Sequence, residues 1–210
     1  MSYLNFSRNW ASYLAANTSL SPEKEIIITY AIEVLVINLI NVLLTLFLGL
    51  LLGVLPVTAA CLATVLLFRH TAGGAHSNSP WRCTIITTII FPALALLANF
   101  LAQYNHIYGD VLAALAIFTG LMAIIVLAPV DNPAAPIINP VRRKRLKALS
   151  LLVIVFIVAT IAALGQSSWE RAPAFRNGLS LSILWISFIL SKIGHRAIIF
   201  IDGISLKQRR

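Results

Sequence analysis

Residues 68–83 read Phe-Arg-His-Thr-Ala-Gly-Gly-Ala-His-Ser-Asn-Ser-Pro-Trp-Arg-Cys, a polar island in an otherwise apolar chain. It holds two imidazoles (His70 and His76), one thiol (Cys83) and a glycine pair (Gly73 and Gly74). Ionisable groups are costly beside hydrocarbon, so a nucleophile and a base gathered there mark a candidate functional site. The chemistry open to them is attack by a thiolate while an imidazole moves the proton, as in a cysteine peptidase working at a membrane face.

Ser79 followed by Pro80 has the pattern of a helix cap and first helical residue, so a helix is expected to start at Pro80 with Cys83 in its first turn. Helix N-termini and adjacent cations favour a thiolate, and Arg82 is the immediate neighbour. On one continuous helix His76 and Cys83 would lie about 10 Å apart, too far for a contact of about 3 Å. The glycine pair and Pro80 instead make the segment a loop that can fold back. His76 then reads as the base, with a locally satisfied loop histidine as the alternative. His70, beside Arg69 at the end of an apolar run, reads as an interfacial histidine. Zinc held by His70, His76 and Cys83 is a further option, but the spacings match no compact ligand pattern and no fourth ligand is evident. His-Glu-x-x-His and Gly-x-Ser-x-Gly are both absent from the sequence, so neither a zinc peptidase of that type nor that serine-hydrolase class is supported. No cofactor and no metal is implied. Asn78, Ser77 and Asp131 are candidates for a third residue.

The elements that must position these groups are membrane helices. Hydrophobic residues fill 59% of 210 positions, charged residues 11%, and mean hydropathy is +0.89, a balance foreign to soluble domains. The fold class is therefore an all-α polytopic membrane protein, residues 1–210 forming one membrane domain. The run from Ile26 to Phe68 would reach about 65 Å as helix against about 30 Å of hydrocarbon. It must fold back, most simply near Gly49, Gly53 and Pro56. Six spans are expected, near 26–48, 54–68, 84–102, 109–129, 147–164 and 178–198, the second short and the sixth interrupted by Lys192 and Arg196.

Lys and Arg accumulate in cytoplasmic loops. With the N-terminus inside, only Arg171 and Arg176 of the 16 basic residues fall outside. Both termini and the loop 69–83 are then cytoplasmic, and the net charge of +9 suits anionic inner-leaflet lipid of the bilayer. Nucleic acid is rejected as a partner, because the basic residues do not interleave with aromatics on a soluble surface.

Residues 1–25 lack the apolar core of a signal peptide. Tyr3, Phe6, Trp10, Tyr13 and Leu14 recur at helical spacing, so this segment reads as an amphipathic interfacial helix, with a disordered tail as the alternative. Ser21-Pro22-Glu23 is a helix start, residues 26–200 form the transmembrane bundle, and 201–210 are a basic cytoplasmic tail. Two cysteines are too few for a disulfide framework, and Cys61, inside an apolar span, reads as a small buried hydrophobe. Glu33, Asn38 and Asn41 read as hydrogen-bonding glue between helices. In a rival reading, a small transporter or peptide exporter without peptidase activity, they would line a path together with Asn99. Residues 128–140 carry four prolines and lead into Arg142-Arg143-Lys144-Arg145-Leu146-Lys147, which reads as a solvated stop signal, as a dock for an acidic stretch of a peptide, or as both.

Arg69-His-Thr-Ala-Gly-Gly-Ala-His76 with Cys83 beyond it, and Ala128-Pro-Val-Asp-Asn-Pro before a basic run, resemble the accessory gene regulator B family of Gram-positive bacteria. The likeness in length and span layout covers nearly the whole chain. It implies a multi-pass enzyme of the bacterial cell membrane, a cysteine endopeptidase that cleaves a short precursor peptide for quorum sensing. Cys83 would be the nucleophile and His76 its partner, with Arg69 and Gly74 supporting; Arg82 and Asp131 join them from the local reading. Ser77 stands where many members have alanine. The resemblance further implies a thioester acyl-enzyme that a cysteine or serine of the precursor resolves into a thiolactone or lactone. Membrane enzymes of this size often pair, so a homodimer is allowed for.

The charge asymmetry makes a direct prediction. In intact cells, thiols introduced by Asn105→Cys and Ser168→Cys should react with an impermeant maleimide, whereas Ser77→Cys should not; labelling at 77 from outside would invert the topology.

Overall fold

A glycine ends the first long apolar run. In the computed structural model of the chain, which describes residues 22–75, 77, 79–131 and 137–203, helix α1 (Pro22–Leu51) closes with Gly53 at φ +70°. The Gly53 N–H donates to Leu50 O at 3.0 Å and the Val54 N–H to Gly49 O at 2.9 Å, the paired bonds by which a left-handed glycine satisfies the last carbonyls of a helix. Gly49, expected in the turn, serves packing instead: a Cβ there would lie 2.7 Å from Thr58 Oγ1.

All regular structure among the described residues is helical. After α1 come α2 (Leu55–Thr71), α3 (Pro80–Leu101), α4 (His106–Leu127), α5 (Pro140–Gly165), α6 (Ala172–Leu190) and α7 (Lys192–Gly203). Helices α1, α3, α4, α5 and α6 are long and apolar enough to cross a membrane, so the chain is a multi-pass, all-α membrane protein. α2 is apolar but has only 17 residues, about 25 Å of helix. The chain divides into two compact units, residues 1–44 and 45–210. The first contributes most of α1 to the described residues, including Glu33, Asn38 and Asn41. The interfacial helix expected over residues 1–25 lies outside the described residues up to position 21, and 22–25 already belong to α1.

In the second unit α6 is the central element, packed by α2, α3, α4, α5 and α7. Its buried positions include Ala172, Ala174, Gly178, Ser180 and Ser182, small residues of the kind that let helix backbones approach in lipid. At Gly178 α2 and α6 come close, and a Cβ there would sit 2.8 Å from Val57 Cγ1 and 3.2 Å from Cys61 Sγ. Cys61 is fully buried and its thiol donates to Gly178 O at 3.4 Å, in keeping with its reading as a small core residue.

Two boundaries differ from expectation. The anticipated sixth span, 178–198, is not one helix: α6 stops at Leu190, Ser191 is extended at φ −77° and ψ 161°, and α7 begins at once. Ser191 Oγ accepts from the Gly194 N–H at 3.1 Å and so caps the new helix. By Leu190 α6 has already run about 28 Å, and turning there keeps Lys192, His195 and Arg196 from extending the span. The run Arg142–Lys147, expected as a loop before a span at 147, forms the first turns of α5. Asn139 starts it early, accepting from the N–H groups of Val141 at 2.9 Å and Arg142 at 3.3 Å.

Filling the space at Gly178 should be destabilising. Gly178→Leu is expected to cost about 1–3 kcal/mol through overpacking, read as a lower thermal unfolding temperature of the detergent-solubilised protein.

Candidate functional site

The polar island is held between α2 and α3 by backbone bonds to two distant segments. Past Thr71, the Val130 N–H donates to Ala72 O at 2.9 Å, and Gly73 forms a single parallel bridge with Val130. Gly73 has φ +77°, and a Cβ on it would lie 2.5 Å from Val130 O, so conformation and space both demand glycine. Gly74 follows at φ +122°. The Ala75 N–H then donates to Ile189 O at the end of α6, at 2.9 Å, while the Ala75 side chain packs with Ile189 and Ile198 of α7.

Pro80 starts α3 as expected, with Ser79 extended at the cap position but making no capping bond through its side chain. The Ser77 hydroxyl instead holds the backbone of the cap residue, accepting from the Ser79 N–H at 3.2 Å. Cys83 lies in the first turn, its N–H bonded to Ser79 O at 3.1 Å, and it is partly exposed. The Arg69 guanidinium, from the last turn of α2, donates to Cys83 Sγ at 3.9 Å. This places a fixed positive charge beside the sulfur, complementary to a thiolate or to an oxyanion formed next to it.

The cation expected there, Arg82, points elsewhere. Its guanidinium pairs with Asp202 Oδ1 at 3.6 Å and donates to the carbonyls of Ile201, at 3.2 Å, and Asp202. The Ser77 hydroxyl donates to the same carboxylate. Asp131, a candidate third residue, pairs with Arg143 at 3.3 Å and accepts from the Ile137 N–H at 3.2 Å, while His70 is exposed. His76 and Asn78 lie outside the described residues. Among the described residues no three His, Cys, Asp or Glu side chains form a group suited to a metal ion.

The geometry thus joins Arg69 to Cys83, joins Ser77 and Arg82 through Asp202, and sends Asp131 to α5. Sequence reasoning missed Asp202, having assigned it to a basic tail. Its signal was there: it is the sole acid after Glu170, among Lys192, Arg196, Lys207, Arg209 and Arg210.

A family model described as accessory gene regulator B matches residues 7–190. An AgrB-like protein of Clostridium perfringens strain 13 is 27% identical over 209 residues, covering 97% of this chain and 98% of the relative. An accessory gene regulator protein B of Staphylococcus aureus strain N315 is 28% identical over 155 residues, covering 72% of this chain and 79% of the relative. No solved structure matches.

The two thiols should differ sharply in access. With the protein in nanodiscs, N-ethylmaleimide should label Cys83 while Cys61 stays unmodified until the protein is denatured, as read by peptide mass spectrometry.

Proposed function

The chain belongs to the accessory gene regulator B family, and from that premise we propose that it is a membrane cysteine endopeptidase. Its substrate is a short precursor peptide, cut in its C-terminal part to yield a cyclic thiolactone or lactone signal for quorum sensing. The observation that carries this reading is the Cys83 sulfur at the start of α3 with the Arg69 guanidinium 3.9 Å away. A nucleophile in a helix's first turn, beside a cation and at the edge of a membrane domain, suits attack on a peptide carbonyl.

In this mechanism His76 takes the Cys83 proton, and the thiolate adds to the carbonyl carbon of the scissile bond. Backbone N–H groups at the start of α3, with Arg69, stabilise the oxyanion. His76 returns the proton to the leaving amine as the C–N bond breaks, which leaves a thioester on Cys83. A cysteine thiol or serine hydroxyl within the acyl segment then attacks the thioester, closing the ring and releasing Cys83 as thiol. Gly74 supplies the backbone turn, and Arg82 fixes the first turn of α3. Asp131 supports more remotely, by holding Arg143 at the basic start of α5, where an acidic part of the precursor would dock. The loop faces the cytoplasm with both termini, in keeping with the basic residues gathered at that end, and no metal or cofactor takes part.

Incubation of the reconstituted protein with a synthetic precursor, read by mass spectrometry, tests this. Cys83→Ala should abolish cleavage, Cys61→Ala should not, and His76→Ala should cost about 10²–10⁴-fold in rate. A precursor lacking its internal nucleophile should accumulate on Cys83 as a hydroxylamine-labile thioester. Cleavage by Cys83→Ala protein would overturn the assignment.

A further inference from the structure

The immediate chain neighbours of position 76 are each tied to one member of the α6–α7 pair. Ala75 is bound through its N–H to Ile189 O, and Ser77, only 5% exposed, donates its hydroxyl to Asp202. Asp202 also grips Arg82, the residue before Cys83. One carboxylate therefore spans from the residue after the base to the residue before the nucleophile. The pair is well sheltered, with side chains 14% exposed for Asp202 and 23% for Arg82, so it escapes much of the screening that weakens surface ion pairs.

α7 is built to deliver that carboxylate. Ser191 breaks the chain from α6 and caps the new helix. Gly194 is pressed against the backbone of Phe188 and Ile189 with no room for a Cβ, which allows α7 to fold back tightly. Ile198 then packs on Ala75 and Ile189, and Asp202, one turn further along the same face, arrives at Ser77 and Arg82. Asp202 lies beyond residues 7–190, the part of the chain that the family model matches.

We propose that Asp202 is a positioning residue that sets the approach of His76 to Cys83, by holding Ser77 and Arg82 on one carboxylate. This rests on the reading of His76 and Cys83 as the catalytic pair. Loss of the carboxylate frees the loop on one side of His76 and the first turn of α3 together. The thiol and the imidazole then meet less often in the geometry for proton transfer.

The full-length protein in nanodiscs, with iodoacetamide as the probe, tests this without a precursor; the rate of Cys83 alkylation is read by peptide mass spectrometry. His76→Ala should slow it, and Asp202→Ala should slow it about tenfold, the scale of coupling within one hydrogen-bond network. Asp202→Glu should recover most of the rate, and the Asp202→Ala/His76→Ala double variant should be no slower than His76→Ala. If Asp202→Ala protein does not fold, Ser77→Ala takes its place, with the same slowing and the same lack of additivity with His76→Ala. An unchanged or faster rate in Asp202→Ala protein while His76→Ala is slow overturns the positioning role alone, as does additivity of the two. An unchanged rate in His76→Ala overturns the catalytic pair and, with it, this inference.

Discussion

A connection between two apolar helices cannot leave its backbone polar groups unpaired, and that requirement organises the site. Ala72 O and the Ala75 N–H find partners in Val130 and Ile189, two segments far away in the chain. Satisfying them forces the connection against the α4–α5 loop on one side and the end of α6 on the other. A buried amide without a partner would cost about 1–3 kcal/mol, comparable to many packing interactions. The glycines follow from this pairing, because Gly73 must pass within contact distance of the Val130 carbonyl.

α6 can serve as the common wall because its serines answer their own needs. Ser180, Ser182 and Ser187 donate to carbonyls one turn earlier, at 2.8–2.9 Å, which leaves small side chains facing the neighbouring helices. Asn177, almost fully buried, donates to Ala98 O at 3.4 Å and ties α6 to α3. The helix that ends at Leu190 is thus anchored along its length before it meets the island at Ile189 O.

What was legible in the sequence was local. Gly53 as a turn, Pro80 as a helix start and the alternation of apolar runs all follow from propensities within a few residues. The break at Ser191 was only partly visible: Lys192 and Arg196 interrupt the run, but Lys192–Gly203 carries enough Ile and Phe to read as the tail of a span. The partner of Arg82 was hidden for another reason: the contact joins residues 120 apart, and only the fold brings a lone acid back to the island. Neighbourhood in sequence favoured Arg82 as the cation beside Cys83, whereas helix direction favours Arg69. Arg82 leaves the first turn of α3 toward α7, and the last turn of α2 comes alongside the sulfur.

The brevity of α2 has a further consequence. Its 17 residues fall several ångströms short of the hydrocarbon thickness, and such a hydrophobic mismatch is met by local thinning of the bilayer or by immersion of the helix ends, at fractions of a kcal/mol per ångström. Arg69 stands at one of those ends. A bilayer thinned around α2 would bring headgroups and water toward Arg69 and the Cys83 sulfur 3.9 Å from it. Acyl-chain length would thereby set how deeply Arg69 sits, a variable that belongs to the membrane and not to the protein.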